Sequence, residues 1–240
     1  MDSHLLFFIW AFLNKQVTNV FPYWKGRQAM KFFDFSMAPN PRRARIFMAE
    51  KGIEEVEIIQ IDLGEGRENV GEEYRAINPS CTVPALVLDD GTLIAESVAI
   101  CRYFEELHPT PTLMGRDAKE KAVVEMWQRQ VELQGYMPAG DAFRNYNKRF
   151  AGRAIAGRDS YEQIPELVSR SRARVERFFS LLNQHLESQE FIATDVFSIA
   201  DITAFVMVDF AGWSKMGIQQ DQTHLQRWYD AVKERPSAAA

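Results

Sequence analysis

An α/β domain followed by an all-helical domain is the fold class this sequence predicts, on three observations. From Met30 to Leu107, short β-branched or aromatic runs alternate with segments of helical spacing. A proline-rich stretch, His108 to Gly115, interrupts the pattern, and beyond it apolar residues recur only at helical intervals. At roughly 150 residues per domain, a chain of 240 residues accommodates two such units.

The elements follow in order. Lys31 to Phe35 reads as an aromatic strand, and "MAPNP" is turn chemistry leading into "RRARIFMAEKG", where Ala44, Phe47 and Met48 recur at helical spacing. Gly52 is placed to cap that helix at its C-terminus, and Val56 to Ile61 is a β-branched second strand. Leu63 to Gly71 is a glycine-rich loop, Glu72 to Ile77 a short helix and Ala85 to Leu88 a third strand. Asp89-Asp90-Gly91 then turns the chain into Thr92 to Ile94 as a hairpin. Val98, Ile100, Cys101, Phe104 and Leu107 form a helix that ends before Pro109. The order β-α-β-α-β-β-α is a thioredoxin-like arrangement. Helices are then expected over Asp117 to Phe150, Ile164 to Leu186, Ile199 to Trp213 and Thr223 to Arg235. The expected domains are therefore 30–108 (thioredoxin-like) and 117–240 (helix bundle), with 109–116 as linker.

Residues 1–29 differ from the rest. Leu5 to Leu13 is a nine-residue apolar run, half of the roughly 20 residues a membrane-spanning helix needs. The only ionisable side chains ahead of it are Asp2 and His4, with no Lys or Arg, and no small-residue cleavage pattern follows, so it does not read as an export signal. Met30 opens the first domain, and residues 1–29 read as an upstream extension of the reading frame; an intact native mass that included them would remove that reading.

Composition narrows the function. Lys and Arg number 28 against 33 Asp and Glu, a net charge of −5 that argues against nucleic acid as the main partner. Locally the balance reverses: Ala142 to Arg177 holds nine bases and four acids. Two cysteines, Cys81 and Cys101, cannot build a disulfide scaffold or a four-ligand zinc site, which fits a reducing, cytoplasmic setting.

Three local signals carry chemistry. In "MAPNPRR", Asn40 is an N-cap candidate with Pro41 at the first helical position; the free N–H groups and partial positive charge of that helix start would favour an anion such as a thiolate, beside the plain capping role. In "NPSCTVP", Pro84 stands just before a strand, either as an edge-strand proline or with a cis Val83–Pro84 bond that lets the Val83 backbone pair with an extended peptide. In the third, Ser97 could cap the next helix and bind a ligand carboxylate while Glu96 takes an ammonium, although such a pair is also a common helix start. Ser198-Ile199-Ala200-Asp201 reads as a capping box with Phe197 and Ile202 as its staple, a folding motif.

In order and spacing, "APNPRRARIF", "NPSCTVP", "ESVAICRYFEE" and "FSIADITAF" resemble the glutathione S-transferases, over about Met30 to Pro236. The likeness is to a bacterial and fungal subgroup lacking the usual Tyr, Ser or Cys in the first turn: Ala38 stands at that position. The resemblance implies glutathione as co-substrate, no metal, a homodimer, and a detoxifying transferase acting on a small hydrophobic electrophile or disulfide. The alternative is a non-catalytic glutathione-binding or scaffold protein. It assigns Asn40 as thiolate donor, and Val83, Pro84, Glu96, Ser97, Thr82 and Arg67 to glutathione binding. Met37, Trp127, Phe143 and Trp213 are nominated for the hydrophobic site near the domain seam. Two departures stand out. Cys81 occupies a position where the family usually has Gly, and the histidine that related sequences carry near Arg144 to Asn147 is missing, leaving Asn145, Tyr146 and Asn147 as candidate helpers.

Overall fold

A computed structural model describes residues 29–64 and 66–240; the reading of residues 1–29 as an extension falls almost entirely outside them. Strands β1 (Met30–Asp34), β2 (Val56–Gln60), β3 (Ala85–Val87) and β4 (Leu93–Ala95) form one sheet in the order β2-β1-β3-β4. Helix α1 (Pro39–Lys51) is the crossover that makes β1 and β2 parallel, as a parallel pair requires. β3 runs antiparallel to both neighbours, and its hairpin to β4 turns through Gly91 at φ 86°. Helices α2 (Glu72–Ile77) and α3 (Ser97–Leu107) complete the domain. Gly52 caps α1 in the left-handed conformation.

Strand alternation separates two apolar clusters. Phe32 and Leu86 face the main core with Ala44, Phe47 and Ile100, while Phe33, Val83, Ala85 and Val87 close a smaller cluster with Tyr74.

The helical domain holds α4 (Ala118–Gln130), α5 (Met137–Tyr146), α6 (Pro165–His185), α7 (Ile199–Gly212) and α8 (Thr223–Lys233). The single helix expected from Asp117 to Phe150 is interrupted by a π-helical turn, Val131–Tyr136, between α4 and α5. Pro138 supplies the reason: it has no N–H for the Gln134 carbonyl and its ring crowds that carbonyl, so the ladder widens before it. Within the turn, Gly135 lets the backbone approach α6 and α7, since a Cβ there would lie 2.7 Å from Phe178 Cδ1 and 3.1 Å from Met207. α7 is buried nearly all round, and the main core runs continuously from α1 and α3 into it.

Polar contacts pin the two domains together. Lys51 at the end of α1 pairs with Glu105 of α3 at 2.5 Å and donates to the carbonyls of His108 and Pro111, so the proline-rich linker is held rather than free. Arg42 pairs with Asp209, which also receives the Tyr229 hydroxyl.

Glu50 receives Arg235 Nε and Nη2 at 2.8 and 2.7 Å and the Ser237 hydroxyl. Burial alone would raise its pKa, but these bonds outweigh it and hold the carboxyl below its ordinary 4.5. A depressed carboxylate contributes stability that is present above pH 4.5 and is lost as pH falls through the lower folded value. The unfolding midpoint of the native chain should therefore fall more steeply below pH 4.5 than that of Glu50→Gln; parallel profiles would show that the contact adds nothing.

Candidate functional site

The turn between β1 and α1 is fixed from behind by a buried carboxylate. Asp34, 1% exposed, accepts from Arg45 at 2.6 Å and Gln60 at 2.7 Å; Gln60 in turn accepts the Ser36 N–H, and Arg45 donates to the Ser36 carbonyl.

α1 starts earlier than the sequence implies. Ala38 is the N-cap, with no side-chain cap bond, and Pro39 takes the first helical position, its fixed φ and missing N–H suiting it there. Asn40 thus lies inside the first turn, which corrects its reading as the cap. The expected set of free N–H groups shrinks with it. Pro39 and Pro41 have none, and Arg42 N–H bonds the Ala38 carbonyl at 3.3 Å. Among the described residues the Asn40 N–H has no partner and is left as an open backbone donor at this helix start.

Arg43, one turn on and buried, orients the Asn40 side chain. Its Nη1 donates to Asn40 Oδ1 at 3.3 Å, its Nη2 pairs with Glu132 at 2.5 Å, its Nε donates to Thr203 Oγ1 at 3.2 Å, and its Cζ lies 4.9 Å from the Tyr136 ring centroid. With Oδ1 engaged, Nδ2 is the free end of the Asn40 amide, a second donor beside the backbone N–H.

The Val83–Pro84 bond is cis, the second of the two readings the sequence left open. The two preceding carbonyls are engaged: Thr82 O accepts from Tyr74 Oη at 2.6 Å and Asn78 Nδ2 at 2.8 Å, and Cys81 O accepts from Asn69 Nδ2 at 2.8 Å. Burial pushes the Tyr74 hydroxyl up to about 12, so it stays a neutral donor. The N–H and C=O of Val83, by contrast, have no hydrogen-bond partner among the described residues. Cys81 adopts φ 58°, the left-handed conformation that costs a non-glycine residue about 1 kcal/mol. Thr82 Oγ1 lies 2.8 Å from Ser80 Oγ. Arg67 is exposed at φ 46°, at the head of the turn that carries Asn69.

Ser97 does not cap α3. Glu96 occupies the cap position at φ 72°, while the Ser97 hydroxyl donates to the Asn40 carbonyl at 2.8 Å and ties the starts of α1 and α3 together. Strand register completes the convergence. Ala85 pairs with both Phe33 and Ala95, so the turn after β1, the Val83–Pro84 bend before β3 and Glu96 after β4 meet at one end of the sheet. A cleft of about 190 Å³ opens there, lined by Arg43, Glu96, Ser97, Val98, Glu125, Arg129 and Glu132. A larger groove, about 370 Å³, lies elsewhere, between α6 and the segment joining α7 to α8, and contains none of these residues. Sequence reading missed Arg43, Glu125, Arg129 and Glu132. The spacing of Arg43 from Asn40 was available as a signal, whereas the other three come from a distant helix.

The nominated hydrophobic residues divide. Phe143 and Trp213 belong to one aromatic cluster: Phe143 lies 5.1 Å from Phe150, 5.4 Å from Phe210 and 5.5 Å from Trp213, centroid to centroid. Phe210 reaches Tyr136 at 5.8 Å, so the cluster runs back to Arg43. Trp213 is 49% exposed, and Met37, in the first turn, 66%. Trp127 stands apart. It packs on the His185 ring at 4.2 Å, about 200° around the helix from Glu125, and is corrected to a packing residue of the helical domain. The helper residues are likewise engaged. Asn145 accepts the Ile164 N–H and donates to the Asp141 carbonyl, Asn147 accepts the Arg149 N–H, and the exposed Tyr146 has Arg172 over its ring at 5.8 Å.

Among the described residues no helix is long and apolar enough to cross a membrane, and no group of three or more His, Cys, Asp or Glu could hold a metal ion.

Comparison with known proteins places this arrangement. Residues 38–107 match the model of the glutathione S-transferase N-terminal domain, and residues 142–236 that of the C-terminal domain. Glutathione S-transferase 2 of Saccharomyces cerevisiae is 35% identical over 214 residues, covering 89% of each chain. Glutathione S-transferase GstA of Escherichia coli O157:H7 is 28% identical over 80% of this chain and 88% of its own. The crystal structure of a glutathione S-transferase domain-containing protein from Marinobacter aquaeolei superposes with a TM-score of 0.79 at 34% identity, over 86% of this chain and 98% of that one. Sheet order, the helical second half and these likenesses agree: the chain belongs to the glutathione S-transferase family.

Proposed function

We propose that the chain binds glutathione at the end of its sheet and uses the thiolate against a small hydrophobic electrophile. The observation that carries this is the pair of open donors on Asn40, its N–H and the Nδ2 freed by Arg43, at a helix start tied to Ser97. The tripeptide would pair with the unpartnered Val83 backbone, with Glu96 at its ammonium and Ser97 at its γ-glutamyl carboxylate. Arg67 and Thr82 are proposed for the glycine end, and Met37, Phe143 and Trp213 for the electrophile.

The energetics suffice without a hydroxyl. A thiol of pKa about 8.5 is roughly 3% ionised at pH 7, and a drop of about two units, some 2.7 kcal/mol, raises that to about three quarters. A helix terminus supplies up to about 2 kcal/mol and one hydrogen bond to a charged sulfur about 1.5–3. The open donors of Asn40 thus make good the absence of Tyr, Ser or Cys at Ala38.

Asn40→Ala should raise the pKa of bound glutathione by about one unit or more, read from thiolate absorbance, and lower kcat/KM roughly ten- to hundredfold at neutral pH. A bound sulfur that titrates as the free thiol in the native chain would remove the mechanism. Retention on immobilised glutathione with no turnover of an aryl halide, hydroperoxide or disulfide would leave a binding protein instead.

A homodimer belongs to the same reading. Met126, Leu133 and Met137 are large apolar residues exposed along the α4–α5 rod, where a second copy would cover them. A solution mass equal to one chain would contradict it.

A further inference from the structure

The stretch rich in bases, Ala142 to Arg177, gains a specific geometry in the fold. Arg144 at the end of α5 and Arg153 in the following loop both lie over a single ring, their Cζ atoms 4.7 and 5.5 Å from the Phe150 centroid. Arg144 Nη1 donates to the Arg153 carbonyl at 2.9 Å, and Arg153 Nη2 to the Arg149 carbonyl at 2.6 Å. Among the described residues neither guanidinium has a carboxylate ion-pair partner. Of the acids in this loop, Asp159 pairs with Arg158, and Glu162 pairs with neither. Burial and the neighbouring Arg153 both disfavour the charge on Arg144.

The position of the pair gives it meaning. Phe150 packs on Phe143, which packs on Trp213 and Phe210, the aromatic wall described above. The same loop returns to the peptide-binding bend: a Cβ on Gly157 would sit 3.1 Å from the Ser80 carbonyl and 3.8 Å from Thr82. Two like charges held on one ring, each with most of its five N–H donors unused by protein, form a fork suited to a planar anion.

We propose that Arg144 and Arg153 form an anion-recognising edge of the electrophile site, selecting aromatic or apolar electrophiles that carry a carboxylate. The proposal rests on the glutathione reading above and adds the substrate class.

The test compares a chloronitrobenzoate with the chloronitrobenzamide of the same ring pattern. In each reaction the thiolate sulfur bonds to the carbon bearing chlorine, the C–Cl bond breaks, chloride leaves with the bonding pair, and the thiol proton passes to buffer. In the native chain kcat/KM, divided for each compound by its uncatalysed rate with glutathione, should be about tenfold higher for the benzoate than for the benzamide, the equivalent of one charge-assisted hydrogen bond. That ratio should fall towards one in both Arg144→Gln and Arg153→Gln, be only partly kept in Arg153→Lys, which retains the charge but not the fork, and shrink with added salt. Because it is a ratio within one preparation, a poorly folding variant does not imitate the loss, and either arginine can be read alone. A native ratio near one, or a ratio untouched by both glutamine variants, overturns the proposal while leaving the glutathione reading intact. If neither compound is turned over, calorimetric titration of the two compounds onto the glutathione-loaded chain decides: benzoate binding no tighter than benzamide overturns the edge, whatever the outcome for glutathione itself.

Discussion

Asp201→Ala is expected to destabilise the chain by about 4 kcal/mol or more, since it would leave four donors without their acceptor at about 1 kcal/mol or more each. Asp201 is fully buried. Its Oδ1 accepts the Ile192 N–H at 2.8 Å and the Trp228 indole N–H at 3.0 Å, and its Oδ2 accepts the Ser198 N–H and hydroxyl, both at 3.0 Å. Burial raises the carboxyl above the usual carboxylate range, while the four donors pull the other way. A capping box is present as the sequence predicts, but a cap alone is worth about 1 kcal/mol. Denaturant unfolding separates the two cases. A loss near 1 kcal/mol would mean the residue only caps α7, whereas the larger loss identifies it as the polar centre that joins α7, α8 and the segment before them.

Glu105→Leu should lower stability by about 3–5 kcal/mol, the cost of leaving a buried charge without its partner. The Lys51 side chain is 0% exposed, so its ammonium has no recourse to water. Glu105 also receives the N–H groups of Leu113 and Met114, each at 3.1 Å, and the Thr112 hydroxyl at 3.0 Å. The same substitution therefore loosens the segment between the domains. Combining it with Lys51→Met should cost less than the sum of the single changes, because both charges then leave together. Strict additivity, or a single-variant loss under about 1 kcal/mol, would show that the pair is not coupled.

Much of the α/β domain was legible residue by residue. α2 spans the predicted Glu72 to Ile77, Gly52 caps α1, and Asp89-Asp90-Gly91 makes the β3–β4 turn. Of the two readings of Pro84, the cis Val83–Pro84 bond is the one found, and Cys81 keeps a left-handed backbone although it is not glycine. Where local rules misled, a competing neighbour or a distant partner had intervened. Asn40 and Ser97 each have the chemistry of a cap, yet neither caps its helix: Arg43 takes the Asn40 side chain, and the Ser97 hydroxyl turns to the Asn40 carbonyl 57 residues away. Pro138 did announce the break after α4, but the helical periodicity on either side masked it.

Trp127 and Trp213 show the same division. Both are tryptophans on amphipathic segments, and spacing alone does not tell which stands against the aromatic wall. The fold puts Trp213 beside Phe143 and Trp127 on His185.

The sequence by itself determined the order of elements, the turn chemistry and the two-domain plan, because backbone preference and apolar period act over a few residues. Only the tertiary structure decided which donors stay open on Asn40, which helix closes the cleft over Glu96, and which arginines meet on Phe150. The cleft is closed by a helix some thirty residues from Glu96, and the other two arise where side chains a turn or a loop apart compete for the same partners; burial and hydrogen-bond competition there override local preference.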